Sequence, residues 1–150
     1  MEEREKGAPQ RFEGADLRKA ELDDVDLREC RISNTNFASS KLHDVDFSGC
    51  GFDDLSFAGS RFHDVDASGI ELDDATLAGA KLSDVDLSGV RIENATLARA
   101  SLRDVDLSGA ELSDVDLSGV RIQNCKLEGL TIDGFAVIDL LERARKEREA

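Results

Sequence analysis

Residues 104–119 read DVDLSGAELSDVDLSG, and versions of this phrase recur along the whole chain. The triplet DVD begins at residues 24, 44, 64, 84 and 104, so these copies lie twenty residues apart. A fixed period of this size is the signature of a repeat architecture, in which one structural unit stacks on the next. The sequence therefore predicts a stack of twenty-residue units.

A shorter period of five lies within the period of twenty. Steps of five from Phe12 to Ile132 give 25 positions, and 24 of them are Leu, Ile or Phe, with Ala67 the exception. From Leu17 onward a second residue, in most cases a smaller one such as Val45 or Cys50, stands two places before each. Side chains two residues apart point to the same side of an extended segment, and the period does not fit a helix of 3.6 residues per turn. Gly, Asp and Asn, which tolerate tight turns, fill the corners.

This pattern resembles that of pentapeptide-repeat proteins. Their motif A-(D/N)-L-x-x is represented by ADLRK at 15–19 and by VDLSG at 85–89 and 105–109, and the resemblance covers about residues 12–134. It implies a right-handed four-sided parallel β-helix, with four pentapeptides in each coil of twenty residues. We therefore expect an all-β solenoid of about six coils, followed by a C-terminal α-helix. With strands about 4.8 Å apart, the rod is roughly 29 Å long.

The predicted domain organisation has three parts: an N-terminal polar segment over 1–10, the repeat β-helix over 11–134, and a C-terminal helix over 135–150. Apolar residues in the last part follow helical spacing and form one stripe. The stripe consists of Val137, Ile138, Leu141 and Ala144, and Phe135 and Leu140 lie beside it. Because the end of a solenoid exposes unpaired backbone and apolar surface, we expect this helix to cap the last coil. The resemblance implies an alternative, a two-fold homodimer through the same residues.

Composition restricts the partners and the compartment. The formal net charge is −14, which disfavours direct contact with nucleic acid or an anionic membrane and favours a basic protein partner. The N-terminus is charged and no apolar run is long enough to span a bilayer, so neither a signal peptide nor a membrane anchor is expected. Three cysteines, an odd number, favour free thiols in a reducing cytoplasm.

Residues twenty apart should stack in columns inside the rod. One inner column reads Leu27, Phe47, Ala67, Leu87, Leu107, Leu127. We interpret its small member, Ala67, as volume compensation for crowding phenylalanines, since interiors pack to a fixed density. A ligand cavity at Ala67 is the alternative. Cys30 and Cys50 also stack, and we expect them to be buried core residues, with a disulfide between them as a minor alternative.

Two outward columns on one side of the rod are almost entirely aspartate, and we call their ten members the Asp face. They are Asp24, Asp26, Asp44, Asp46, Asp64, Asp66, Asp84, Asp86, Asp104 and Asp106. The column that runs from Asp26 to Asp106 has a counterpart on the opposite side of the rod, and this counterpart is mixed. It reads Asp16, Asn36, Ser56, Thr76, Thr96, Asp116. If folding alone required Asp, both sides should carry it equally. We therefore predict that the Asp face binds a partner.

The charge density of the Asp face is comparable to that of DNA. Ten carboxylates over five layers give about one per 2.4 Å of rod, against one charge per about 1.7 Å of B-form DNA. Like charges this close are expected to raise the pKa of some of these carboxyl groups. A neighbouring column of basic residues could neutralise part of the charge. Its members are Lys41, Arg61, Lys81 and Arg121.

The resemblance also implies a function. The best understood acidic members of the pentapeptide-repeat family bind bacterial DNA gyrase or topoisomerase IV in place of duplex DNA and confer fluoroquinolone resistance. This chain is shorter than is usual for those members and lacks their protruding loops. The alternatives are a structural or scaffold module that binds another basic partner, a cation-binding rod, and a merely solvated surface.

Other constellations give weaker signals. His43, His63 and Asp23 share one column, and imidazole with carboxylate can bind a transition metal. Ser83 and Arg103 do not continue this column, so we predict a polar surface without a metal site. Straight rows of aspartate favour diffuse counter-ions over a calcium cage.

We find no catalytic motif and no obvious cleft, and therefore predict neither enzymatic activity nor a cofactor.

Overall fold

The computed structural model describes residues 11–149, so the predicted N-terminal segment 1–10 lies outside the described residues. The chain forms a parallel β-solenoid of about six coils of twenty residues, followed by a single C-terminal helix. Each coil contributes one strand to each of two sheets. The predicted fold class is confirmed.

The two sheets alternate along the chain. Sheet A contains β1 (Arg11–Glu13), β3 (Arg31–Asn36), β5 (Gly51–Ser56), β7 (Glu71–Thr76), β9 (Arg91–Thr96), β11 (Glu111–Asp116), β13 (Thr131–Ile132) and β14 (Phe135–Ala136). Sheet B contains β2 (Glu21–Asp26), β4 (Lys41–Asp46), β6 (Arg61–Asp66), β8 (Lys81–Asp86), β10 (Ser101–Asp106) and β12 (Arg121–Gln123).

The register between coils is twenty residues. Val45 pairs with Val65, and Val65 pairs with Val85, in parallel strands. The turns between the strands also bond from coil to coil, because the N–H of Leu27 donates to the carbonyl of Asp46 at 2.8 Å. Residues twenty apart in the sequence therefore form straight columns along the rod.

Each long strand bends at its fourth residue, where an Asp or Asn has a left-handed backbone. The φ angles at these corners lie between 49° at Asn34 and 56° at Asp24. Most L-residues adopt this region only at a cost, whereas short polar side chains tolerate it. Glycines such as Gly89 (φ 68°) hold the equivalent position in many of the turns between strands.

The core is a continuous column of aliphatic and phenylalanine side chains. Phe37 stacks on Phe57 with ring centroids 5.0 Å apart, and Phe52 meets Phe47 edge to face. An apolar cavity of about 30 Å³ lies beside them. Its lining includes Ala67, Phe47, Phe57, Phe62, Val65 and Leu87. The phenylalanines therefore compensate only in part for the small Ala67 side chain.

The chain leaves the coils through a short hairpin. The first two residues of the segment predicted as a helix form β14 instead, because they pair antiparallel with β13. Helix α1 (Val137–Glu149) follows and contains no buried residue, although Val137 packs against the edge of the core.

No helix within residues 11–149 is both long enough and apolar enough to cross a membrane. No disulfide joins Cys30 to Cys50, and Cys125 forms none within residues 11–149.

Candidate protein-interaction face

The structure places all ten residues of the Asp face on sheet B. Asp26, Asp46, Asp66, Asp86 and Asp106 are in register as the last residues of successive strands. The other five are the left-handed corner residues of the same strands, two positions earlier. The corner aspartates are exposed, whereas most strand-end aspartates are half-buried. The stacking assumed from the sequence thus holds for both columns.

Each strand-end aspartate also closes the turn that follows it. The carboxylate accepts a hydrogen bond from the backbone N–H two residues later, a local arrangement typical of Asp, Asn, Ser and Thr. The acceptor–donor distances in sheet B are 3.1 Å for Asp26 to Arg28, 2.9 Å for Asp46 to Ser48, 3.0 Å for Asp66 to Ser68, 2.9 Å for Asp86 to Ser88, and 2.9 Å for Asp106 to Ser108.

Neutral side chains make the same bond on sheet A. The distances are 2.9 Å for Asn36 to Ala38, 3.3 Å for Ser56 to Ala58, 3.3 Å for Thr76 to Ala78, and 3.2 Å for Thr96 to Ala98. A short hydrogen-bond acceptor without a negative charge is therefore sufficient to close this turn. This role was missed from the sequence, although Asp, Asn, Ser and Thr fill both columns apart from Lys126, which was a signal for it.

Among residues 11–149, ion pairs with Arg or Lys reach only the ends of the Asp face. Arg28 contacts Asp26 at 2.8 Å and approaches Asp46 at 3.9 Å, and Arg103 lies 3.8 Å from Asp104. The basic column beside the Asp face forms no ion pair within 4.0 Å in the described part of the chain. The members of this column are Lys41, Arg61, Lys81 and Arg121. Asp66 and Asp86, in the middle, have no such contact with Arg or Lys among residues 11–149.

The expectation of raised carboxyl pKa values is wrong for Asp106. The hydroxyl and the backbone N–H of Ser108 both donate to its carboxylate, and these hydrogen bonds hold the pKa of Asp106 below its usual range. On the opposite sheet, Ser118 lowers the pKa of Asp116 in the same way. At these turns, local hydrogen bonding outweighs the desolvation that raises the pKa of a carboxyl group.

A second, shorter acidic cluster lies on sheet A and was not singled out from the sequence. Asp53, Asp73 and Asp74 are exposed, and their carboxylate oxygens lie within 4.8 Å of one another. Asn34 and Asn94 interrupt the corner column on either side of the cluster, and Ser33 and Ser113 bound the column of Asp53, Asp73 and Glu93. It therefore does not extend through five layers as the Asp face does.

The two histidines lie beside the Asp face. Their rings stack with centroids 5.5 Å apart, and His43 Nδ1 is 2.8 Å from Asp23. This hydrogen bond raises the pKa of His43, and the carboxylates of Asp44 and Asp64 add to the effect.

The family model described as the pentapeptide repeat region matches residues 11–77 and 55–132. The chain belongs to the pentapeptide-repeat family. No curated protein matches it. The similar solved structures include Rfr23 from the cyanobacterium Cyanothece 51142, which is 19% identical with a TM-score of 0.55, over 82% of this chain and 91% of that one. At this identity the likeness concerns the fold.

Two further pentapeptide-repeat structures are more distant. HetL from Nostoc sp. strain PCC 7120, a protein involved in heterocyst differentiation regulation, is 16% identical with a TM-score of 0.41, covering 85% of this chain and 94% of HetL. QnrB1, a plasmid-mediated fluoroquinolone resistance protein, is 17% identical with a TM-score of 0.34, covering 91% and 96%.

Proposed function

We propose that this pentapeptide-repeat protein is a non-enzymatic interaction module, and that the Asp face binds a basic protein surface. The observation that carries the proposal is the difference between the two sheets. Asn, Ser and Thr close the turns of sheet A with the same hydrogen bond that Asp makes on sheet B. The turns do not need the five negative charges of the strand-end column, and binding of a basic partner would explain why they are present.

The shape of the Asp face suits long cationic side chains. A shallow groove lies between the two columns at the layers of Asp84 and Asp104, and it passes over Val85 and Val105, whose side chains are buried in the core. The methylene groups of Lys or Arg can lie along this groove while the charged group contacts the carboxylates on either side. A partner that presents several cations along a line could occupy successive layers.

The candidate partner is the DNA-binding surface of a type II topoisomerase. The family resemblance suggests it, and the spacing of carboxylates, about one per 2.4 Å, approaches that of phosphate charges in duplex DNA. Such a role requires the protein to act in the cytoplasm, in agreement with cysteines that form no disulfide within residues 11–149. If the topoisomerase is not the target, another basic partner on the same face is the second candidate.

The test is a gyrase supercoiling assay with and without a fluoroquinolone. The variant Asp46→Asn, Asp66→Asn, Asp86→Asn removes three charges but keeps an acceptor, as Asn36 shows on sheet A. We expect the wild-type protein to change supercoiling in a salt-sensitive way and the variant to lose at least tenfold in potency.

The matched control is Asp54→Asn, Asp74→Asn, Asp114→Asn, which removes three charges from the corners of sheet A. Asn34 and Asn94 already occupy equivalent corners, so this variant should fold. We expect it to keep wild-type potency. Equal losses in the two variants would show that net charge, and not the Asp face, is responsible. No wild-type effect on gyrase or topoisomerase IV would exclude that partner.

We further propose a homodimer through the C-terminal end. Phe135 is 65% exposed, Leu140 46%, and Leu141 40%, and Ile122 at the last full coil is 43% exposed. Ile138 is half-buried beside them. Pairing two copies at this end would cover these side chains. Light scattering should give twice the chain mass for the wild type and the monomer mass for Phe135→Ser, Leu141→Ser; a monomeric wild type would contradict the proposal.

A further inference from the structure

One compact group of potential metal ligands combines His43 and His63 with Asp64 of the Asp face. His43 Nε2 lies 3.7 Å from Asp64 Oδ2, and His63 Nε2 lies 3.3 Å from the same oxygen. All three potential ligand atoms lie within 4.8 Å of one another. Two imidazole nitrogens from successive coils therefore converge on one carboxylate oxygen.

From this geometry we propose a binding site for a divalent transition-metal ion, with Zn²⁺ as the reference ligand, formed by His43 Nε2, His63 Nε2 and Asp64. In a tetrahedral zinc site with bonds of about 2.0–2.1 Å, neighbouring ligand atoms are about 3.3 Å apart. Two edges of the triangle are thus close to the required length. The third closes when the imidazoles rotate toward each other, and both side chains are half exposed, at 49% and 51%, which leaves them room to do so.

The other nitrogen of each ring faces a second carboxylate. Nδ1 of His43 lies 2.8 Å from Asp23, and Nδ1 of His63 lies 3.6 Å from Asp84. In metal sites a carboxylate that accepts the Nδ1 proton fixes the tautomer, so that Nε2 offers its lone pair to the metal. The contact between Asp23 and His43 matches this arrangement, whereas Asp84 lies near Nδ1 of His63 but beyond hydrogen-bond distance.

The ligand set indicates the class of metal. Two imidazoles with one carboxylate suit zinc, copper and nickel, whereas calcium and magnesium prefer oxygen ligands alone. The cluster of Asp53, Asp73 and Asp74 on sheet A has the same compactness but no imidazole. It serves as a control within the chain, because it should bind zinc much more weakly than the histidine cluster.

This inference differs from the interpretation of the column from the sequence. The failure of Ser83 and Arg103 to continue the histidines argued against a metal, but a site for one ion needs only two adjacent coils. The missing third ligand comes from Asp64, which belongs to a different column. The proposal does not depend on the interaction partner, since its test involves only the protein and the ion.

The experiment is calorimetric titration with ZnCl₂ after chelator treatment, at pH 7.5, with all variants made in a Cys125→Ser background. This background removes the partly exposed thiol as a competing ligand. We expect one zinc ion per chain, at least a tenfold loss of affinity in His63→Gln, and loss of the site in His43→Gln, His63→Gln. Gln123 occupies the same column, so these variants should fold.

Two further variants make the result specific. Asp73→Asn should leave zinc affinity unchanged, and Asp23→Asn should weaken it roughly tenfold through the orientation of His43. In NMR spectra, zinc should shift the ring signals of both histidines together. Unchanged stoichiometry and affinity in the double histidine variant would overturn the proposal, as would binding that falls equally in Asp73→Asn and His63→Gln.

Discussion

The carboxylate of Asp66 accepts a hydrogen bond from the backbone N–H of Ser68 at 3.0 Å. This hydrogen bond gives the strand-end aspartates of sheet B a structural role in addition to their charge. Because Thr76 makes the same bond to Ala78 without a charge, the two roles can be separated by substitution.

We predict that Asp66→Ala destabilises the protein by about 1 kcal/mol, because a half-buried N–H loses its partner. Asp66→Asn should stay within about 0.5 kcal/mol of the wild type. Urea unfolding monitored by circular dichroism measures both. Equal destabilisation by Ala and Asn would show that the charge, and not the acceptor, matters at this turn.

Most of the fold could be predicted because it depends on the period alone. Once residues twenty apart are known to pair, as Val45 and Val65 do, the columns and the inward side chains follow. The C-terminal end was predicted less well, because Phe135 and Ala136 pair with β13 where the period no longer applies.

Contacts between columns could not be predicted from the period. Repetition defines which residues stack, but the rotamers of Asp64 and His63 decide whether they meet. The hydrogen bond from Ser108 that lowers the pKa of Asp106 is of the same kind. Both depend on distances of a few ångströms across or along a coil, which composition does not determine.

The left-handed corners give a second prediction. Asp54 has φ of 55°, where a β-branched side chain is strongly disfavoured and most L-residues lose about 1–2 kcal/mol. Asp54→Val should destabilise the protein by about 2 kcal/mol, whereas Asp54→Asn should be nearly neutral, as Asn94 occupies an equivalent corner. Thermal unfolding of the two variants provides the comparison, and a neutral Asp54→Val would contradict the role assigned to the backbone.

His43 gives a prediction about pH. Its pKa is raised above the ordinary value of about 6.5, chiefly by the hydrogen bond to Asp23. The folded state therefore holds this proton more tightly than the unfolded state. The resulting stabilisation is present below about pH 6.5 and is lost as the pH rises through the folded pKa.

NMR titration of the His43 ring in the presence of a chelator measures this pKa directly. Asp23→Asn should move it downward, because the main interaction with the protonated ring is removed. Asp73→Asn, on the opposite sheet, should leave it unchanged. A His43 pKa at or below the ordinary value in the wild type would show that the contact with Asp23 does not persist in solution.

Ala67 gives the last prediction. It interrupts an inner column whose neighbours are Phe47 and Leu87, and a cavity of about 30 Å³ remains beside it. At about 24 cal/mol per Å³, filling this space is worth about 0.7 kcal/mol. Ala67→Val should therefore stabilise the protein by roughly 0.5–1 kcal/mol, measured as a higher midpoint of urea unfolding.

Ala80→Val is the matched control. Ala80 is fully buried and does not line the cavity, so the added methyl groups would overpack the core and cost about 1–3 kcal/mol. Opposite signs for the two substitutions would show that the phenylalanines around Ala67 leave usable space. Destabilisation by both would mean that the neighbouring side chains already close the cavity in solution, as complete volume compensation requires.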